Sequence, residues 1–199
     1  MFLVFNNYRS IQLYFLKKTK KEKNIILCGG STIKKILLYL DKKNNFLGKK
    51  ILLSDERLVK KNSNFRNDNF YYKIIRRRLI AYKDFINYKF AYQSNKELKR
   101  LNETTDKINF SSCLLSLGSK GHIAGIFDNK KKIKTNFYFS YSLDKKPKNR
   151  VTISINKLLK CKKIYIVVDL KRRMYELKTF KRSIFYKKNA RKFEFLLKN

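Results

Sequence analysis

One imidazole stands out among the residues that could do chemistry near neutral pH. His122 is the only histidine of the 199-residue chain, and it closes a turn from Gly118 to Gly121 that follows the apolar residues 113–115. An unperturbed imidazole has a pKa of about 6.5, so it can take up and release a proton at neutral pH. A strand that ends in a glycine-rich turn is also where an α/β enzyme presents groups to its ligand. If the protein does acid–base chemistry near pH 7, His122 is therefore the residue whose unperturbed pKa suits it, and the alternative interpretation is a structural histidine in a turn.

A glycine pair follows the first strongly apolar segment, residues 25–28. Gly29 and Gly30 precede two hydroxyl residues, Ser31 and Thr32. If a helix begins here, its first backbone N–H groups form an anion site. The same tetrapeptide also fits a tight turn in which Ser31 or Thr32 caps the helix. The tetrapeptide alone does not decide between these interpretations.

Two further clusters follow apolar segments. In Asp55-Glu56-Arg57, the two carboxylates could orient the arginine toward a ligand, although a triplet of this kind is more often a surface ion pair. The segment that begins at Arg150 reads by itself only as an exposed or edge strand. Polar residues at strand ends lie at the edge where open α/β sheets bind ligands, so we expect the clusters to converge there.

The elements that must position these residues follow from hydrophobic periodicity. Short apolar segments alternate with longer mixed ones, a pattern typical of parallel sheets with crossover helices. We predict one Rossmann-like α/β domain over residues 1–199, with a mostly parallel sheet flanked by helices on both faces. The predicted strands are 25–28, 50–54, 86–92, 113–117, 150–155 and 164–168; the predicted helices are 33–40, 70–82 and 170–180, with a helical turn at 158–159 and a surface loop at 129–148.

The composition is very basic, with 50 Lys and Arg against 14 Asp and Glu and a formal net charge of +36. Such a charge by default indicates nucleic-acid or anionic-surface binding. The basic residues occur in nearly every segment, however, and Lys, Asn and Ile are abundant throughout, as in proteins of AT-rich genomes. We favour compositional drift on exposed positions, and nucleic-acid binding stays open as the less favoured interpretation.

The cysteines and the N-terminal residues indicate the cellular compartment of the protein. Cys28, Cys113 and Cys161 lie far apart, in or beside apolar segments, and show no metal-type spacing. Buried thiols in a reducing compartment are the plain interpretation. The N-terminal residues lack the apolar core of a signal peptide, and no segment approaches the roughly 18 apolar residues of a membrane span. We therefore expect a cytoplasmic protein with no membrane partner.

In this order, the four clusters resemble the 6-phosphogluconolactonase family. That family carries a Gly-Gly-Ser-Thr-Pro loop, an Asp-Glu-Arg segment followed by Ser-Asn-Tyr, a Gly-x-Asp-Gly-His signature and an Arg-Val-Thr strand. The resemblance covers most of the chain. The matching segments are residues 29–33, 55–57, 63–65, 118–127 and 150–152.

The resemblance implies a hydrolase that opens 6-phospho-D-glucono-1,5-lactone with water, in the oxidative pentose phosphate pathway. It implies no cofactor, no metal, and a small phosphorylated sugar lactone as the partner. His122 takes the place of the family's general base, a role worth typically ~10²–10⁴ in rate. The substrate-binding residues it implies are Gly29, Gly30, Ser31, Thr32, Asp55, Arg57, Asn64, Gly118, Gly121, Arg150 and Arg173.

The sequence departs from the family pattern near the proposed base. Lys120 replaces an aspartate two residues before His122, and an ammonium group can neither accept an imidazole N–H nor favour its protonation. Arg173 stands where the family has lysine, Ile33 where it has proline, and Gly125 where it has serine. Two alternatives therefore stay open: a sugar-phosphate deaminase or isomerase of the same fold, and a degenerate, non-catalytic paralogue that binds nucleic acid.

Overall fold

A computed structural model describes residues 1–88, 91–127, 133–144 and 146–199. The strands within these residues are β1 (Phe2–Phe5), β2 (Asn24–Leu27), β3 (Lys50–Leu53), β4 (Asp55–Arg57), β5 (Phe85–Ile86), β6 (Ser112–Ser116), β7 (Phe137–Tyr141), β8 (Asn149–Ile153), β9 (Lys163–Asp169) and β10 (Phe193–Lys198). The helices are α1 (Tyr8–Lys18), α2 (Ser31–Leu37), α3 (Asp68–Arg76), α4 (Asn95–Asp106), α5 (Ile155–Leu159), α6 (Leu170–Arg182) and α7 (Ile184–Asn189).

Seven strands form one sheet in the order β1-β10-β9-β6-β2-β3-β5, and every neighbouring pair is parallel. A parallel sheet is covered on both faces, so its central strands are continuously apolar rather than alternating. Strands β2, β6 and β9 show this, since their middle residues are buried without interruption. The predicted α/β fold with a mostly parallel sheet is confirmed.

The direction in which strands are added reverses near the middle of the sheet. From β2 the chain adds β3 and then β5 on one side, whereas from β6 it adds β9 and then β10 on the other. Because parallel crossovers are right-handed, this reversal places helices α1 to α3 on one face and α4, α6 and α7 on the opposite face. The neighbours β2 and β6 therefore flank the topological switch point, where such sheets bind ligands.

Strands β4, β8 and β7 form a second, antiparallel sheet with β8 in the centre. The expectation of an exposed or edge strand at residues 150–155 is wrong, because β8 pairs on both sides and is buried from Arg150 to Ile153. The loop expected at residues 129–148 is also wrong in part, since it contains β7. Residues 129–132 and 145 of that segment lie outside the described residues.

Two other predicted elements have different boundaries in the structure. The helix expected at 70–82 ends at Arg76, because Arg78 adopts a left-handed conformation (φ 56°) and turns the chain toward buried Leu79 and Ile80. The strand expected at 86–92 is the two-residue β5, and residues 89–90 lie outside the described residues. Sequence periodicity also missed β1, α1, α4 and β10.

The core lies between the large sheet and its helices. The three cysteines are buried and unbridged, as predicted. In the described part of the chain, no helix has the length and apolarity needed to cross a membrane.

Candidate active site

A cleft of about 210 Å³ opens at the switch point, beyond the carboxyl ends of β2 and β6. Most of the residues singled out in the sequence line it. They are Gly29, Gly30, Ser31, Thr32, Asp55, Arg57, Gly118, His122, Arg150 and Arg173.

The glycine loop forms one wall of the cleft, between β2 and α2. Gly30, with φ 92°, is the residue that precedes the helix, and no side chain caps this helix end. The interpretation of Ser31 or Thr32 as a capping residue is therefore wrong. The first backbone N–H groups of α2 have no partner within the helix and are available to a ligand.

Gly29 has no room for a side chain. A Cβ at this position would lie 2.0 Å from Cγ of Asn67, so the absence of a side chain lets Asn67 pack against the loop. The loop is held from behind by Tyr71, whose hydroxyl donates to the carbonyl oxygen of Cys28 at 2.7 Å. Contacts with Tyr71 on α3 and with Asn67 just before α3 therefore hold the glycine loop in place.

The Asp-Glu-Arg triplet forms β4, and its contacts differ from those expected. The guanidinium of Arg57 donates to Oδ1 of Asn67 at 2.6 Å and to the carbonyl oxygen of Phe65 at 2.8 Å. In the described residues neither flanking carboxylate accepts a hydrogen bond from the Arg57 guanidinium, which corrects the prediction. The alternative of a surface ion pair is also wrong, because Asp55 and Glu56 are buried.

Asp55 instead faces the second arginine of the cleft. Its carboxylate lies 3.8 Å from Nη1 of Arg150 and accepts a hydrogen bond from the Ser54 hydroxyl. Arg150 is opposite Arg57 in the register of β8 and β4, and its guanidinium lies 5.6 Å from the Phe127 ring centroid. Burial lowers the pKa of Arg150 and nearby Arg57 lowers it further, while Asp55 opposes both effects.

Two buried arginine nitrogens of the cleft have no hydrogen-bond partner among the residues that the structure describes. Nε of Arg57 and Nε of Arg150 are buried, and neither donates a hydrogen bond within the described residues. A buried donor without an acceptor is costly, and such groups in native proteins usually serve a ligand or water. An anion in the cleft would supply the missing acceptors.

The imidazole of His122 is held by its own turn. Nδ1 lies 2.6 Å from the carbonyl oxygen of Ser119, and the ring packs on Phe127 with 4.8 Å between centroids. A carbonyl oxygen only accepts hydrogen bonds, so in the neutral ring Nδ1 carries the proton and Nε2 carries the lone pair. The backbone N–H of Gly118 donates to the His122 carbonyl oxygen at 2.8 Å and closes the turn.

Lys120 lies beside this turn but does not line the cleft. Its side chain is 76% exposed, and its ammonium pairs with the Asp144 carboxylate at 2.8 Å. The backbone of Lys120 is left-handed, with φ 59°. The lysine that replaces the family aspartate therefore points its charge at Asp144, while the Ser119 carbonyl takes the Nδ1 hydrogen bond.

Arg173 supplies the third guanidinium of the cleft, from the first turns of α6. Its backbone departs from helical geometry (φ −136°), and Nη1 donates to the Glu176 carboxylate at 2.5 Å. Among the described residues, the cleft thus combines three arginines with one carboxylate, that of Asp55, and this balance favours an anionic ligand.

Two predicted site residues lie outside the cleft. Asn64 lines a separate depression beside α3, and Gly121, with φ 76°, packs against the backbone of α6. Asn67 contributes the side chain that was expected of Asn64. Sequence reasoning missed it because Ser63-Asn64-Phe65 matches the family pattern more closely than the neighbouring segment does. The other lining residues that were missed are Cys28, Ser116, Leu117 and Ala124.

Among the described residues, no group of three or more His, Cys, Asp or Glu side chains is placed to hold a metal ion. The ionisable groups that these described residues bring to the cleft are one imidazole, one carboxylate, three guanidiniums and the buried Cys28 thiol, whose pKa burial raises to about 12.

Fold and site together define a Rossmann-like α/β protein with a cleft at its switch point, which three arginines and the imidazole of His122 line. The model of the family "Glucosamine-6-phosphate isomerases/6-phosphogluconolactonase" matches residues 11–180, and the chain belongs to this family. The resemblance seen in the sequence is thereby confirmed.

Individual relatives agree with this assignment. The chain is 27% identical over 170 residues to a 6-phosphogluconolactonase of Borreliella burgdorferi, covering 77% of this chain and 72% of that protein. The 6-phosphogluconolactonase structure of Thermotoga maritima superposes with a TM-score of 0.82 at 17% identity, covering 100% and 99% of the two chains. A monomeric glucosamine-6-phosphate deaminase superposes with a TM-score of 0.76 at 15% identity, covering 100% and 97%. Both enzyme types therefore share this fold.

Proposed function

We propose that this chain, acting as one domain over residues 1–199, hydrolyses 6-phospho-D-glucono-1,5-lactone to 6-phosphogluconate in the pentose phosphate pathway. Membership of the family and the similarity to a curated lactonase support this activity. Asp55-Glu56-Arg57 and Arg150-Val151-Thr152 match the lactonase pattern, and the structure brings both segments to the cleft.

One observation carries the proposal: the Ser119 carbonyl holds Nδ1 of His122 inside a cleft that also contains three guanidiniums. This contact selects the tautomer in which Nε2 can accept a proton. A substrate with a phosphate and a lactone carbonyl needs cations for the first group and a base for the second. The cleft supplies both, and water is the only other reactant.

The reaction then has two steps. Nε2 of His122 removes a proton from water as the water oxygen bonds to the lactone carbonyl carbon, which gives a tetrahedral oxyanion. The oxyanion collapses, the bond from that carbon to the ring oxygen breaks, and the imidazolium returns the proton to the ring oxygen. This proton transfer returns the imidazole to its starting state, and the new carboxylic acid ionises in solution.

The remaining residues bind rather than react. The loop of Gly29, Gly30, Ser31 and Thr32 offers backbone N–H groups to the phosphate or the oxyanion. Arg57, Arg150 and Arg173 supply the positive charge. Arginine in place of the family lysine at residue 173 keeps the charge and offers a planar, two-pronged donor.

The net charge of the chain does not require a nucleic-acid partner. Several lysines serve the fold, because Nζ of Lys49, Lys157 and Lys192 donate to main-chain carbonyls of Thr19, Thr105 and Leu159 near the ends of helices. Part of the basic composition therefore caps helices that lack a C-terminal glycine. We place the enzyme in the cytoplasm, where a reducing environment fits three buried, unbridged thiols.

Two substrates test the proposal. The purified chain is expected to accelerate lactone opening above the spontaneous rate and to release no ammonia from glucosamine 6-phosphate. His122→Ala and His122→Gln should each lose about 10²-fold or more of kcat while retaining the wild-type circular dichroism spectrum. Ammonia release without lactone opening would instead identify a deaminase. Wild-type turnover by both variants would remove His122 from the mechanism.

A further inference from the structure

The mechanism makes no use of Glu56, the most deeply buried carboxylate next to the cleft. Its side chain is fully buried and does not line the cleft. Oε1 accepts hydrogen bonds from the backbone N–H groups of Arg57 at 2.8 Å and Asn67 at 2.7 Å. Oε2 accepts from the backbone N–H of Asp68 at 2.8 Å. One carboxylate therefore joins β4 to the start of α3.

The residue held in this way, Asn67, contacts three parts of the cleft. Its Oδ1 accepts from the Arg57 guanidinium, and its Nδ2 donates to the Asp55 carbonyl oxygen at 3.0 Å. Its side chain also fills the space beside Gly29. A shift of the Asn67 backbone would therefore move the Arg57 guanidinium and the glycine loop together.

We infer that Glu56 is a positioning residue, whose carboxylate holds the Asn67 segment so that Asn67 fixes the Arg57 guanidinium in the cleft. The inferred kinetic effect rests on the proposed lactonase function, whereas the effect on Arg57 itself does not. Glu56 touches no ligand in this scheme and acts on the Arg57 guanidinium through Asn67.

The burial of Glu56 makes these hydrogen bonds sensitive to pH. Burial raises the pKa of Glu56 to about 7, although its three backbone N–H donors oppose the rise. Above that pH the ionised carboxylate accepts all three hydrogen bonds. Below it, the proton of the carboxylic acid occupies one oxygen and displaces one of the backbone N–H donors. The charged and titratable groups that interact with Glu56 are Lys34, Arg57, Arg66, Asp68, Tyr71, Tyr88 and Arg150.

The first test reads Arg57 directly, without any substrate. The guanidinium signals of Arg57 are assigned in ¹⁵N-correlated NMR spectra by their loss in Arg57→Lys. In the wild-type protein we expect them to shift with a midpoint near pH 7. In Glu56→Gln the shift should vanish, because glutamine does not ionise in this range. Glu194→Gln is the matched control, since Glu194 is also buried and accepts from the Tyr14 hydroxyl, but on β10.

The second test uses steady-state kinetics above pH 7. Glu56→Gln should raise KM for the lactone about tenfold with kcat within about twofold, because Arg57 binds substrate and transition state alike. Asn67→Ala should do the same, and the double variant should be no worse than Asn67→Ala, since both changes act on one path. Glu194→Gln should leave both constants unchanged.

The outcomes separate the two ideas. The positioning role is wrong if the Arg57 signals titrate in Glu56→Gln as in the wild type. It is also wrong if the KM increases of Glu56→Gln and Asn67→Ala multiply in the double variant. The Arg57 signals could behave as expected while neither the wild type nor any variant opens the lactone. In that case the positioning role of Glu56 is supported and the proposed function is wrong. A fall in kcat alone would show that Glu56 acts on the chemistry rather than on Arg57.

Discussion

The imidazole of His122 lies against the backbone of Gly118, so closely that a Cβ on residue 118 would stand 2.3 Å from Nε2. The conformation of Gly118 is one that any residue adopts, with φ −88°. Space, and not backbone freedom, therefore requires glycine here. The glycine determines where the nitrogen of the proposed base lies.

Replacing this glycine tests that relationship. Gly118→Ala should displace the imidazole and lower lactone turnover by about 10²-fold, since misplacing a catalytic group by 1 Å has effects of that size. The measurement is kcat alongside the thermal midpoint. Gly48→Ala is the control, because Gly48 has φ 74° and open space around it. That variant should lose about 1 kcal/mol of stability and no activity. Full activity in Gly118→Ala would contradict the proposed position of Nε2.

The lysine that replaces the family aspartate should be dispensable. Asparagine tolerates the left-handed backbone at residue 120, and Lys120→Asn removes an exposed ion pair of little energetic value. We expect kcat and KM to stay within about twofold of wild type, and Asp144→Asn to behave alike. The check is a comparison of the kinetic constants at two ionic strengths. A tenfold loss in Lys120→Asn would mean that this ammonium acts on the imidazole.

A buried lysine should support the fold rather than bind a partner. Nζ of Lys157 donates to the carbonyl oxygens of Thr105 and Ile108, at the end of α4. Lys157→Met removes this donor from both carbonyl oxygens, although that of Thr105 still accepts from the backbone N–H of Ile108, and we expect a loss of about 1–3 kcal/mol in chemical unfolding. The neighbouring Lys160 is exposed, so Lys160→Met should change stability by less than about 0.5 kcal/mol. Equal effects would show that the buried contacts do not stabilise the fold.

The raised pKa of Glu56 also predicts a pH dependence of stability. Glu56 has an ordinary pKa of 4.5, reached in the unfolded chain, and a pKa of about 7 in the folded protein. Between these values the folded state binds more protons, so its stability falls as pH rises and levels off above pH 7. The contribution is of the order of 3 kcal/mol. Urea unfolding of wild type and Glu56→Gln from pH 4.5 to 8 measures it.

The difference between the two unfolding curves isolates Glu56. Relative to wild type, Glu56→Gln should gain stability as pH rises through this window. Parallel curves would mean that Glu56 is not buried as described. Glu194→Gln provides the comparison for an unrelated buried carboxylate.

The local sequence pattern predicted which motifs line the cleft, but it did not predict the contacts between their side chains. The glycine loop, the Asp-Glu-Arg triplet and the histidine turn are contiguous motifs, and each lies at a strand end as predicted. Asn67 was missed because its role comes from a contact with Gly29, more than thirty residues away. The pairing of Asp55 with Arg150 was missed for the same reason, since it joins two strands across an antiparallel ladder.

The strands of the fold likewise divide into those that the sequence pattern predicts and those that depend on tertiary pairing. Central strands such as β6 and β9 are runs of apolar residues and are visible in the sequence. Edge strand β1 and strand β10 carry polar or basic neighbours, and only their pairing with each other and with β9 makes them strands. Strand β8 reads as an edge strand because it alternates, yet β4 and β7 cover both of its edges.

The sequence by itself determined the α/β class, the family and the presence of one imidazole among glycines, because these depend on short periodic patterns and contiguous motifs. The tertiary structure alone decided the partners of Arg57 and Arg150 in the cleft, and the hydrogen bonds by which Glu56 holds the backbone of Asn67. Those properties come from contacts between distant segments, and distance, burial and charge at such contacts have no signature in local sequence.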